Sequence, residues 1–301
     1  MTESRPAVVT RDGVAMRFRA PAPALAELVI DYCFYDSGPA GSHARVNEYM
    51  PGPANLSMTF DAGPVRATMR SHRLEWTNDA VVFGPTSHAF RAESNGGRLI
   101  GAGLTALGWA RLFGKHADAL ANRVAPLAHL WGETRARTFY AAMARAGTDE
   151  DLAVATLDRH LAAALLAPGR DVEAIRGLTA IVQDPAVEEC ADAAARLGVP
   201  ETQLRRIAKH YFGFGPKLLL RRHRFMRALA AVTRTGPADE SVFTPYYDQS
   251  HFIRDAHLFL GRTARQFGHQ LTPMMEGMLQ GRAARFGAPI QGLIAAGRDN
   301  V

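Results

Sequence analysis

Between residues 201 and 235 the chain carries Arg205, Arg206, Lys209, Lys217, Arg221, Arg222, Arg224, Arg227 and Arg234 against a single acid, Glu201. Guanidinium and ammonium groups at this density are suited to donating hydrogen bonds to phosphate oxygens and to the acceptor edge of guanine. Their spacing is as informative as their number. Thr202, Arg205, Arg206 and Lys209 recur at helical intervals, while Leu204, Ile207, Ala208 and Tyr211 occupy the opposite side of the same helix. A helix buried on one side and rich in donors on the other can enter a DNA major groove. The solvated face of an ordinary helical bundle would have the same pattern, and an internal echo argues against that. Residues 204–213 (LRRIAKHYFG) and 252–261 (FIRDAHLFLG) share an arginine, an alanine, a terminal glycine and their apolar positions.

The elements that must hold these residues are legible around them. Val187, Cys190, Ala191 and Ala194 recur at i, i+3, i+4 and i+7 and predict a short helix with one buried stripe, ending at Gly198. A brief turn follows, and the basic helix opens near Pro200, so the pair reads as a helix-turn-helix. In the second copy Asp248 is the expected N-cap and Phe252, Ala256 and Phe259 face inward. Gln249, Ser250, His251 and Arg254 crowd the exposed first turns. Residues 217–232 between the copies predict one continuous basic helix that spaces the two modules along DNA, and a B-DNA turn of roughly 34 Å sets the relevant scale.

With these elements in place, residues 172–270 resemble the DNA-binding unit of the AraC family of bacterial transcription regulators, in which a long helix joins two helix-turn-helix modules. The motif from Tyr246 to Asp255 (YYDQSHFIRD) resembles the second recognition-helix signature, and the stretch from Gly213 to Lys217 (GFGPK) with Arg224 and Ala228 matches the first module's end and the linker helix. The resemblance implies base contacts by Thr202, Arg205, Arg206, Gln249, Ser250, His251 and Arg254. Lys209, Lys217, Arg221, Arg222 and Arg224 are the expected phosphate contacts. The chain departs from the family at Ala208 and Ala256, where a large aromatic is usual, at Pro200 in place of a capping serine, and at Ala264 in place of a proline. Residues 236–241 leave little room for the second module's first helix.

The N-terminal half reads differently. Leu56, Met58 and Phe60 alternate, as do Val65, Ala67 and Met69, with a turn at residues 61–64, which predicts a hairpin. Further short runs punctuated by Gly84-Pro85 and Asn95-Gly96-Gly97 suit a small sheet or barrel, followed by alanine-rich helices from residue 108 to about 166. The expected organisation is therefore an α+β domain over residues 1–168, an all-α domain of two modules over 172–270, and a helical tail over 271–301. The tail would pack on the second module or form a dimer contact. Residues 101–114, with 123–127 and 130–132, resemble the N-terminal domain of one AraC-type subgroup, which implies effector sensing or dimerisation. Tyr49, Trp76, Phe90 and Trp109 are candidates for an apolar pocket, with ordinary core packing as the alternative.

Composition narrows the remaining classes. A formal charge of +6 with 47% hydrophobic and 21% charged residues fits a globular protein, and no run suits a signal peptide or a membrane span, so a cytoplasmic location is expected. His43, His72 and His88 with Glu48 and Glu75 lack metal-ligand spacing, and no phosphate loop, Gly-x-Ser-x-Gly or Cys-x-x-Cys occurs, so no catalytic residue, metal or cofactor is assigned. Cys33 and Cys190 have no neighbours that would lower a thiol pKa, and Cys190 is expected in a core. The expected partners are double-stranded DNA, a small-molecule effector, RNA polymerase and a second copy of the chain, with no membrane. The alternatives are a DNA-binding dimer that needs no ligand, or a metabolic enzyme with an appended DNA-binding module.

Overall fold

The computed structural model describes residues 8–9, 13–42, 44–70, 72–235, 246, 249–288, 290 and 292. Its N-terminal half contains, in chain order, β1 (Val8–Val9), β2 (Ala15–Arg19), β3 (Val29–Asp36), β4 (Ala44–Tyr49), β5 (Asn55–Phe60), β6 (Val65–Met69), β7 (His72–Trp76), β8 (Ala80–Phe83), β9 (Phe90–Asn95), β10 (Arg98–Leu104) and β11 (Val124–Pro126). Among the described residues these form two antiparallel sheets, one ordered β1-β2-β3-β10-β5-β8-β11 and the other β4-β9-β6-β7. Helices α1 (Ala106–Phe113), α2 (Ala128–Trp131), α3 (Glu133–Ala146) and α4 (Glu150–Ala163) follow, with a 3-10 turn at Ala117–Leu120.

The larger sheet is covered on both faces. One face packs Leu56, Met58 and Ile100 against Trp109, Phe139 and Leu157 of the helices. The other meets the small sheet through Val81, Phe83, Ala67, Trp76 and Phe90. Double burial explains why β3 is buried along nearly its whole length and why no clean alternation marks it. Helix α1 starts at Thr105, whose hydroxyl accepts from the Gly108 amide at 2.9 Å. At Gly108 an added Cβ would lie 1.9 Å from the Leu28 carbonyl oxygen, so only glycine lets this helix approach the sheet so closely.

The predicted hairpin is not one. β5 pairs with β10 and β8, whereas β6 pairs with β7 and β9. The turn at 61–64 therefore carries the chain from one sheet to the other. Both strands exist where the alternation put them, but alternation identifies a strand and not its partner.

The C-terminal half comprises α5 (Val172–Gln183), α6 (Cys190–Leu197), α7 (Glu201–Phe212), α8 (Pro216–Thr235), α9 (Gln249–Leu260), α10 (Ala264–His269) and α11 (Pro273–Phe286). A sheet domain followed by a helical region with a helix-turn-helix and a long linker helix is the fold that the resemblance implies. Residues 236–245, where the second module's first helix was expected, and the N-cap candidate Asp248 lie outside the described residues.

Two expectations change here. In α6 the inward residues are Ala193 and Ala194, with Val187 buried just before the helix, while Ala191 is exposed and Cys190 half-buried. The helix begins at Cys190, so its first turn lies at the surface and the stripe is displaced. Helix α11 is not an appendage. Met275 and Leu279 join the core of α8 and α9, while Met274 and Met278 join Val14, Met16 and Phe18 of the sheet domain. Its two apolar faces make it a wedge between the halves of the molecule.

Candidate functional site

Helix α7 turns off α6 at Gly198, which takes the left-handed conformation that glycine tolerates at a helix end (φ 69°). Leu204, Ile207 and Ala208 are buried against Leu178, Ile181 and Leu219, which leaves Thr202, Arg205, Arg206 and Lys209 exposed. Arg206 is engaged within the protein: its two terminal nitrogens reach the Asp171 carboxylate at 3.1–3.2 Å, and the Tyr211 hydroxyl donates to the same carboxylate at 2.9 Å. These donors hold the Asp171 carboxyl below the usual carboxylate range, Arg206 first among them. The exposed strip of α7 is thus Thr202, Arg205 and Lys209, with Arg206 on its edge toward the sheet domain. There the His210 ring lies tilted by 41° against that of His116, with centroids 3.8 Å apart.

In α9 the buried side is Phe252, Asp255, Ala256, Phe259 and Leu260. Gln249, Ser250, His251 and Arg254 are exposed, and so are Ile253, at 40% of its surface, and His257. Ile253 and His257 were not among the expected contacts, because the sequence offers no reason to look for an apolar side chain on the exposed face of this helix. An exposed isoleucine in a helix otherwise packed by phenylalanines is the signal that would have found it, and its chemistry suits a thymine methyl group.

The predicted phosphate contacts divide. Lys217 is exposed. Arg221 donates from Nε to Asp255 at 2.6 Å, and the Tyr246 hydroxyl donates to the other oxygen at 2.8 Å, which ties α8 to α9. Arg224 lies over the Tyr246 ring at 5.0 Å and pairs with Glu188 at 3.1 Å. For Arg222 the phosphate assignment is wrong in this arrangement. It is 6% exposed and donates to the carbonyl oxygens of Thr86, at 2.7 Å, and Gly52, at 3.4 Å, in the sheet domain. Burial pushes its guanidinium down to about 10, and it still holds its proton at neutral pH. Cation density in the sequence registers both kinds of arginine alike. Burial separates them.

Arg222 is one of several ties between the halves. Arg262, just after α9, pairs with Glu48 of β4. The Ala89 amide donates to the Phe259 carbonyl at 2.7 Å, so the end of α9 is bonded to the segment entering β9.

A cavity of about 70 Å³ lies between the two sheets and is lined on one side by Met274, Met278 and Arg282 of α11. A single water needs roughly 10–15 Å³, so there is room for several light atoms. Tyr49 and Phe90 form one wall, stacked with centroids 4.7 Å apart and planes 3° from parallel. The other two candidates lie elsewhere: Trp76 packs edge-on behind Phe83, and Trp109 is 1% exposed on the far face of the large sheet, its indole donating to the Lys115 carbonyl at 2.7 Å. Aromatic type alone did not tell wall from core. The cavity also reaches Gly52 and Thr86, the residues whose carbonyls hold Arg222.

Among the described residues, no three His, Cys, Asp or Glu side chains gather as a metal ion would require. His72 bonds the Val124 carbonyl at 2.8 Å, and Glu48 and Glu75 pair with arginines. His43 lies outside the described residues. Burial pushes the Cys33 thiol up to about 12, which keeps it protonated and unreactive. No helix among the described residues is long and apolar enough to cross a membrane.

No family model and no curated relative matches the chain. Among solved structures it is similar to ToxT from Vibrio cholerae, at 10% identity over 76% of this chain and 98% of that one, with a TM-score of 0.48. It is also similar to unsaturated fatty acid-bound wild-type ToxT from strain SCE256, at 10% identity over 90% and 98% with a TM-score of 0.45. The AraC-like transcriptional activator CuxR is similar at 12% identity over 64% and 80%, with a TM-score of 0.30.

Proposed function

We propose that this chain is a sequence-specific DNA-binding transcription regulator of the AraC type, whose sheet domain receives a small-molecule effector. The observation that carries this is the exposed strip of Thr202, Arg205 and Lys209 on a helix that follows a glycine turn and is buried on its other side. A second exposed helix face, with Gln249, Arg254 and Ile253, stands beyond α8. At 1.5 Å per residue the 20 residues of α8 extend about 30 Å, close to one turn of B-DNA.

Arg205 and Arg254 offer bidentate donors to guanine, Gln249 suits adenine, and Ile253 suits thymine. Lys209 and Lys217 supply salt-dependent phosphate contacts. Effector sensing is supported by adjacency: the cavity wall and the bonds to the linker helix share Gly52 and Thr86.

The test is binding of the full chain to fragments of DNA upstream of its own gene and its neighbours, across a salt series with competitor DNA. Competitor-resistant footprints on one fragment are the expected result. Equal, salt-labile binding to every fragment would refute sequence-specific regulation.

A further inference from the structure

The floor of the cavity is built by register. Cys33, Gly101 and Ser57 stand side by side on β3, β10 and β5, and strand alternation points Ser57 away from its buried neighbours Leu56 and Met58 and into the space between the sheets. Gly101 leaves that floor open, since any Cβ there would sit 3.3 Å from the Asn55 side-chain oxygen and 3.8 Å from Cys33 Cβ. A glycine inside a central strand weakens the strand and suits a place where another group comes close. The Ser57 hydroxyl, on a residue 3% exposed, has no hydrogen-bond partner among the described protein groups.

The one charged side chain on the wall among the described residues is Arg282 of α11. Its Nε donates to Asp31 at 2.6 Å, and the two side chains are 3% and 0% exposed. The pair is electrically neutral as a unit. An entering anion would bring a further buried charge with no counterion, and a cation would face the guanidinium.

We propose that the cavity binds a small uncharged ligand of about one ring, its apolar body against Tyr49 and Phe90 and one hydroxyl or carbonyl hydrogen-bonded to Ser57. This deepens the effector reading and rests on it for biological meaning, although binding itself is measurable without DNA.

The experiment is a thermal unfolding series on the full chain with phenol and with benzoate, which share a ring and differ in charge. Phenol raises the unfolding midpoint as its concentration rises, and benzoate at equal concentration does not. Gly101→Val abolishes the phenol effect by filling the floor. Should that variant fail to fold, Ser57→Ala keeps the test open, because it strands no partner and weakens phenol binding about three- to tenfold. Stabilisation by benzoate as strong as by phenol, stabilisation by neither, or a phenol effect unchanged in both variants would overturn the proposal. Phenol binding with unchanged DNA footprints would uphold the ligand site while removing the sensing role.

Discussion

The two helices proposed to face DNA, α7 and α9, are packed by different means. Helix α7 sits on a core drawn from α5 to α8, with Leu178, Ile181, Leu204, Ile207 and Leu219 at its centre. Helix α9 shares its core with the rest of the molecule. Met275 and Leu279 of α11 complete it, and Met50 and Ala89 of the sheet domain pack against it. Both modules therefore touch the N-terminal half, the first through Ile175, Tyr211 and Phe212 against the sheet domain's core, and what sets the second apart is that α11 completes its core. A ligand between the sheets would touch α11 directly, so its effect should fall first on the second module.

The contrast is broken most forcefully at Arg282. Replacing it with Met takes the guanidinium away from the fully buried Asp31 carboxylate, and unfolding by urea should show a loss of about 3–5 kcal/mol. Adding Asp31→Leu to that variant should restore part of the loss, because the buried carboxylate that lost its guanidinium goes with it. If Arg282→Met is harmless, α11 does not hold the second module.

Next in size are the two arginines proposed to read bases. Arg205→Ala and Arg254→Ala should each weaken binding to the specific fragment by about 1–3 kcal/mol and spare nonspecific DNA. Glu48→Ala frees Arg262 from the sheet domain, and it should shrink the cost of Arg254→Ala while leaving that of Arg205→Ala unchanged. A double-mutant cycle in footprinting measures this. Equal effects on both arginines would mean that the two modules are held alike.

His223 lies on α8 between the modules. Burial, reinforced by Arg222 and Arg227, pushes it from 6.5 down to about 3. In the folded chain it stays neutral while the unfolded chain takes up a proton, so its contribution is full above pH 6.5 and declines as pH falls toward 3. The slope reaches about 1.4 kcal/mol per pH unit. His223→Leu removes that share of the acid sensitivity, read as a shallower fall in urea-unfolding stability between pH 6.5 and 4.

What the sequence made legible follows from what local patterns encode. The helical period of Leu204, Ile207 and Ala208 named the buried side of α7 and hence its exposed one, because a helix face is set by its own residues. Strands β5 and β6 were found for the same reason, yet their partners were not, since pairing depends on segments far along the chain. Asp31 and Arg282 are 251 positions apart, and nothing local to either announces the pair. The arginines of α8 failed in a similar way. Arg222 and Lys217 look alike as charges, and only the sheet domain distinguishes a buried clamp from a surface cation.

Arg206 gives the finest test of the comparison. Its pairing with Asp171, the N-cap of α5, ties it to the first helix of its own module. Asp171 is mostly buried, but Arg206 is 43% exposed, so solvent screens the pair, and Arg206→Ala should cost about 0.2–1 kcal/mol of stability. Specific DNA affinity should barely change, in contrast to Arg205→Ala one position away. A tenfold loss of specific binding in Arg206→Ala would show that DNA draws the guanidinium off Asp171. DNA binding would then release the start of α5 from α7, and the first module would rearrange within itself on reaching its site.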